Sequence, residues 1–102
     1  MSDAIDALTV NVEENGTLLT KETGKVILSR GAWATILFRY QQWDEEKQCY
    51  GPQKYVIRRY KKWGGEYSQQ SKFAISSDAQ AQRIATALLD WIETDKAKEE
   101  QP

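Results

Sequence analysis

The chain has 102 residues, 40% of them hydrophobic and 28% charged, the balance of one small globular domain with no room for a second core. Net charge is −1, His is absent, and there is one Cys. Without His, no Ser-His-Asp triad, Cys–His pair or His-ligated metal site can form, and one Cys excludes an intrachain disulfide or a Cys-x-x-Cys centre.

Residues 1–16 carry acids, show no hydrophobic period and end in the turn signal Asn15-Gly16, so they are expected as a mobile segment with a short extended piece at Leu8 to Val12. The opening Met-Ser-Asp-Ala-Ile-Asp has neither a basic stretch nor a long apolar run, unlike a secretory signal. Lys25 to Ser29 reads as a strand, and Leu18 and Leu19 begin its partner. Trp33 to Trp43, rich in β-branched and aromatic residues, is a second strand. A polar loop, 44–53, follows. Lys54 to Trp63 is a third strand, Gly64-Gly65 a tight hairpin, and Glu66 to Ser76 a fourth strand anchored by Tyr67, Phe73 and Ile75.

At Ser77 the period changes from two to helical. Ala81, Ile84, Ala85, Leu88, Trp91 and Ile92 recur on one side, Ser77 stands as N-cap, and Gln80 is at the capping-box position. The helix is expected to run to about Thr94, with a charged tail over 95–102. The predicted fold is therefore α+β: four antiparallel strands and a C-terminal helix, ββββα, over 17–94. No segment is long enough to span a membrane, since the longest mostly apolar run is Ala32 to Phe38 and about 20 residues are needed. A lone Cys49 and the missing signal point to a soluble, cytoplasmic protein with a reduced thiol.

Charge is unevenly placed. Residues 1–20 carry net −4, residues 21–83 net +6, and residues 84–102 net −3. Ten of the chain's aromatics lie between Trp33 and Phe73, in the same stretch as the bases. Interleaved cations and rings on strands suit unpaired nucleic acid, because cations neutralise phosphates and rings stack on bases. The plainer reading is that these are simply good strand residues with charges on a solvated face.

An internal echo occurs 20 residues apart: Arg39-Tyr40-x-x-Trp43 and Arg59-Tyr60-x-x-Trp63. A regular strand puts Tyr and Trp three apart on opposite faces. A bulge between them would bring both to one face as matched ridges.

The stretch from Lys25 to Ile92 resembles the transcriptional positive cofactor four family of single-stranded DNA-binding coactivators, and especially its short bacterial relatives. The likeness is carried by Val26-Ile27-Leu28-Ser29 leading into Gly31-x-Trp33, and by the strand ending Trp43-Asp44. It continues through Pro52-x-Lys54-Tyr55-x-Ile57-Arg58 followed by Tyr60, and through Phe73-x-Ile75-Ser76 running into an acid-started helix. The resemblance implies a strongly curved sheet in a homodimer that binds single-stranded DNA on β-ridges. Carried over by position, Lys54, Arg58 and Tyr60 fall on the third strand's motif, Trp33 and Trp43 on the second's, and Lys72 near a basic position. The chain departs from the family in having Ser71-Lys72 where Lys-Gly is common, a longer acidic 44–53 loop, and an acidic N-terminal flank.

The sequence thus leads to a non-enzymatic, largely sequence-independent binder of single-stranded DNA or RNA, acting in transcription regulation or in replication and repair. It would be cytoplasmic, and nucleoid-associated in a bacterium. The expected interface is Trp33, Arg39, Tyr40, Trp43, Lys54, Arg58, Arg59, Tyr60, Lys61, Lys62, Trp63 and Lys72. Ile84, Leu88, Trp91 and Ile92 are expected to form the dimer interface, because one small sheet covers only part of so wide a stripe. No metal or cofactor is expected, and Asp44-Glu45-Glu46 reads as a solvated loop tip. The competing reading is a protein-interaction module that has lost nucleic-acid binding. Bases gathered on one face favour the first reading, and scattered bases favour the second.

Overall fold

The computed structural model describes residues 5–99; residues 1–4 and 100–102 of the two expected terminal segments lie outside it. In chain order, a short 3-10 turn at Ile5–Ala7 precedes strands β1 (Val12–Glu14), β2 (Thr17–Ser29), β3 (Trp33–Asp44), β4 (Cys49–Tyr50), β5 (Lys54–Trp63) and β6 (Glu66–Ile75), then helix α1 (Asp78–Glu99). One antiparallel sheet runs β1-β2-β3-β5-β6, with β4 paired to the far end of β3. The α+β class and the C-terminal helix are as expected, but among the described residues the sheet has six strands.

Turn chemistry explains most of the connections. Asn15-Gly16 and Gly64-Gly65 both adopt positive φ at both positions, joining Glu14 to Thr17 and Trp63 to Glu66 as two-residue hairpins. In the 44–53 segment, Asp44 Oδ1 accepts from the backbone N–H groups of Glu46 and Lys47, closing a tight turn into β4. That segment is therefore a small hairpin rather than a plain loop. β2 is one 13-residue strand, bent by register shifts between Glu22 and Gly24 and between Ile27 and Ser29.

Alternation divides the sheet into two faces. Ala34, Ile36, Phe38, Val56 and Tyr60 point to the covered face and are buried. Above them lies the N-terminal segment: Ile5 is 7% exposed and Val10 3% exposed. Residues 5–14, expected as part of a mobile segment, thus supply two of the buried core side chains. Lys25 fastens them, its Nζ donating to the carbonyls of Ile5, Asp6 and Leu8 at 3.1, 2.9 and 2.7 Å. Asn11 Oδ1 accepts from the Glu22 backbone N–H at 2.7 Å. The sequence masks this role because Ile5 and Val10 lie in no periodic run; tertiary burial, not local pattern, places them.

The helix begins as its sequence dictates. Ser77 Oγ accepts from the Gln80 backbone N–H at 3.1 Å. Gln80 reciprocates one residue further back than a capping box, accepting from the Ser76 backbone N–H at 2.6 Å. The helix continues to Glu99 rather than Thr94, so 95–99 belong to it and not to a tail. Its main contact with the sheet is β6, and it projects away from there. The radius of gyration is 17.2 Å, against about 13 Å for a compact chain of this length. Leu88, Leu89, Trp91 and Ile92 are exposed, and Ile84 is half-buried.

Candidate nucleic-acid interface

The register decides which expected residues meet. On β3, Trp33, Arg39 and Trp43 share the open face; on β5, Arg59, Lys61 and Trp63 share it too, because Trp33 pairs with Lys61 and Arg39 with Tyr55. At the near end of this face the rings and cations interleave. The Arg59 guanidinium lies 4.3 Å from the Trp33 ring centre, and Lys61 Nζ lies 5.2 Å from Trp33 and 4.3 Å from Trp63. Both indoles remain exposed, Trp63 by 58%. Four side chains from two adjacent strands thus form a ladder that offers π-surface and positive charge together. Regular strands and the Gly64-Gly65 turn, not a mobile loop, hold it in place.

A second, smaller cluster occupies the far end of the same face. Trp43 meets Tyr50 edge-on, ring centres 5.1 Å apart, and Lys21 Nζ lies 4.2 Å from the Tyr50 ring centre. The sequence reading named Trp43 but not Lys21 or Tyr50. Lys21 pairs with Gln41, so counting parity back from β3 finds it once β2 is known to be continuous. Between the two clusters runs a row of apolar residues in register, Val26, Leu37, Ile57 and Phe73, of which Val26 and Phe73 are exposed.

The remaining expected residues lie elsewhere. Tyr40 and Tyr60 are on the covered face, against the core, and Tyr60 is 4% exposed. No bulge in β3 or β5 interrupts their alternation, so neither echo brings its Tyr and Trp to one face. Tyr60 is a core residue and not a stacking platform. Arg39 is on the open face, but its guanidinium is engaged by Thr23, Nε donating to Oγ1 at 3.1 Å and Nη2 to the carbonyl at 3.0 Å, across the β2 bulge. Lys54, Arg58, Lys62 and Lys72 are on the covered side. There Lys62 lies 5.6 Å from the Tyr67 ring centre, and Lys54 Nζ donates to Gln42 Oε1 at 2.9 Å. The basic side chains therefore divide between the two faces.

The acidic loop is structurally occupied. Asp44 closes its turn, and Glu45 accepts from Trp43 Nε1 at 3.1 Å and from Gln48 Nε2. Among the described residues no cluster of three or more Asp, Glu or Cys is arranged to hold a metal. Among the described residues no helix is long and apolar enough to cross a membrane. One hydroxyl stands out at the foot of α1: Tyr55 is held above its ordinary value of 10.0 by the Asp78 carboxylate, as hydrogen-bond acceptor first and as negative charge besides. No family model, curated protein or solved structure matches the chain.

Proposed function

We propose that the protein is a non-enzymatic binder of single-stranded nucleic acid, DNA first and RNA as the alternative, acting as a homodimer in transcription regulation or in replication and repair. The observation that carries the reading is the open-face ladder of Trp33, Arg59, Lys61 and Trp63, two exposed indoles interleaved with two cations. Bases stack on such rings whatever their sequence, and the cations take the phosphates, so binding is sequence-tolerant and salt-dependent. The resemblance to the positive cofactor four family, carried by the Lys54 to Tyr60 string and the strand leading into the C-terminal helix, supports the same reading. The helix supports the dimer: four large apolar residues are exposed, and a second helix laid against them removes that surface from water. Cytoplasmic work beside the nucleoid fits the same reading.

The division of bases between faces supports a second reading, a protein-interaction module on this scaffold. One titration separates the two. Single-stranded oligothymidylate of about 15–20 nucleotides, followed by fluorescence anisotropy, is expected to bind with affinity falling steeply between roughly 50 and 200 mM salt. Absence of binding at low salt favours the interaction module.

A further inference from the structure

The curled sheet leaves a cavity of about 150 Å³ on its covered side, in the gap between β6 and the strap formed by the N-terminal segment. Val10 and Val12 of the strap wall it, and Thr20, Gln42, Arg58 and Lys72 supply its polar lining. Arg58 and Lys72 are directly cross-strand, so two positive charges converge there. Arg58 Nε is buried and has no hydrogen-bond partner among the described residues. A buried, unpaired guanidinium N–H is costly, and such a group marks a place where a partner belongs. The carbonyl oxygen of the Gln42 side chain already accepts from Lys54, which leaves its NH2 to donate. The Thr20 hydroxyl also donates. Among the described residues, no carboxylate lines the cavity. The donor set is therefore that of an anion site, with charge +2 and more donors than a carboxylate's two oxygens need.

We propose that this cavity holds a terminal phosphate, the phosphomonoester at one end of the single strand whose bases lie on the open-face ladder. This rests on the nucleic-acid reading and adds an end preference to it. A phosphomonoester carries about −1.5 to −2 at neutral pH and matches both cations, whereas an internal phosphodiester carries one charge. The route between the sites is short. Arg58 and Lys72 lie on the covered face at the register positions next to Arg59–Ser71 and Ile57–Phe73 of the open face. β6 is a sheet edge, so a strand leaving the ladder at Arg59 turns over that edge to reach the cavity.

The test is anisotropy titration of one oligothymidylate in three forms, with a 5′-phosphate, with a 3′-phosphate, and with hydroxyls at both ends. One phosphorylated form is expected to bind about tenfold tighter than the hydroxyl form. The gain is expected to disappear in Lys72→Gln, an exposed position whose substitution leaves the core intact, and in Arg58→Gln, while hydroxyl-strand binding persists in both. Inorganic phosphate is expected to erase the gain without displacing the hydroxyl strand. Equal binding of all three forms overturns the end site and leaves the ladder standing. Binding of none overturns the nucleic-acid reading itself. A phosphoserine peptide held as tightly as the phosphorylated strand assigns the cavity to a protein ligand and overturns the proposal.

Discussion

The two faces of β5 are built from the same residue types and differ in what those residues do. On the covered face, Val56 and Tyr60 are sealed beneath Ile5 and Val10, and the aromatic ring contributes burial. On the open face, Trp63 keeps more than half its surface in solvent and faces a cation. Arg58 and Arg59 are neighbours in sequence, yet one is turned into a half-enclosed cavity and the other lies over an indole. A single step of the pleat separates a buried side chain from an exposed one. Counting aromatics and bases along the chain cannot draw this line; counting parity can.

The contrast breaks most visibly at Tyr60. Tyr60→Ala is expected to cost about 3–5 kcal/mol of stability, while Trp63→Ala costs less than about 0.5 kcal/mol, both by urea denaturation. Comparable losses at both sites would erase the distinction between faces. Tyr60→Phe sharpens it: the buried hydroxyl has no partner among the described residues, so its removal is expected to be neutral or stabilising by about 1 kcal/mol.

Next in size is the helix. Trp91, 67% exposed, and Leu88 have no cover among the described residues. Leu88→Asp with Trp91→Asp is expected to shift light scattering from about 23 kDa, twice the 11.7 kDa of one chain, to the monomer. A native chain that is a well-folded monomer at micromolar concentration contradicts the dimer. Within the open face, Arg59→Ala is expected to flatten the salt dependence of binding by about one unit of slope, while Trp33→Ala lowers affinity and leaves the slope nearly unchanged. Identical salt slopes for the two variants would contradict their separate roles.

The smallest effect lies at the foot of α1. The neutral Tyr55 hydroxyl is favoured in the fold, so its contact with Asp78 is complete below pH 10.0 and is lost as pH rises through the higher folded value. Tyr55→Phe is expected to reduce the fall in melting temperature between about pH 9 and 11. An unchanged fall assigns the alkaline loss to other groups.

Much of the sheet was legible in the sequence because its signals are local. The glycine turns, the Trp33 to Trp43 and Lys54 to Trp63 strands, and the Ser77 cap each follow from a few adjacent residues. The N-terminal strap was not legible, because Ile5 and Val10 acquire their role only from Lys25 and the core beneath them. The continuity of β2 was not legible, because the strand passes through a bulge at Thr23-Gly24, beside Arg39. Of the site, the residue types were readable. Their division between faces required the register, and the cavity required the curl of the sheet.

The central claim is that the exposed indoles of the open face, and not the aromatics beneath them, take the bases. It is tested most directly by titrating 5′-hydroxyl oligothymidylate against the double variant Trp33→Ala with Trp63→Ala, alongside its thermal melt. The account predicts a loss of about 2–6 kcal/mol in binding, at about 1–3 kcal/mol per stacked base, with the melting temperature little changed. A double variant that melts and binds like the native protein would contradict it.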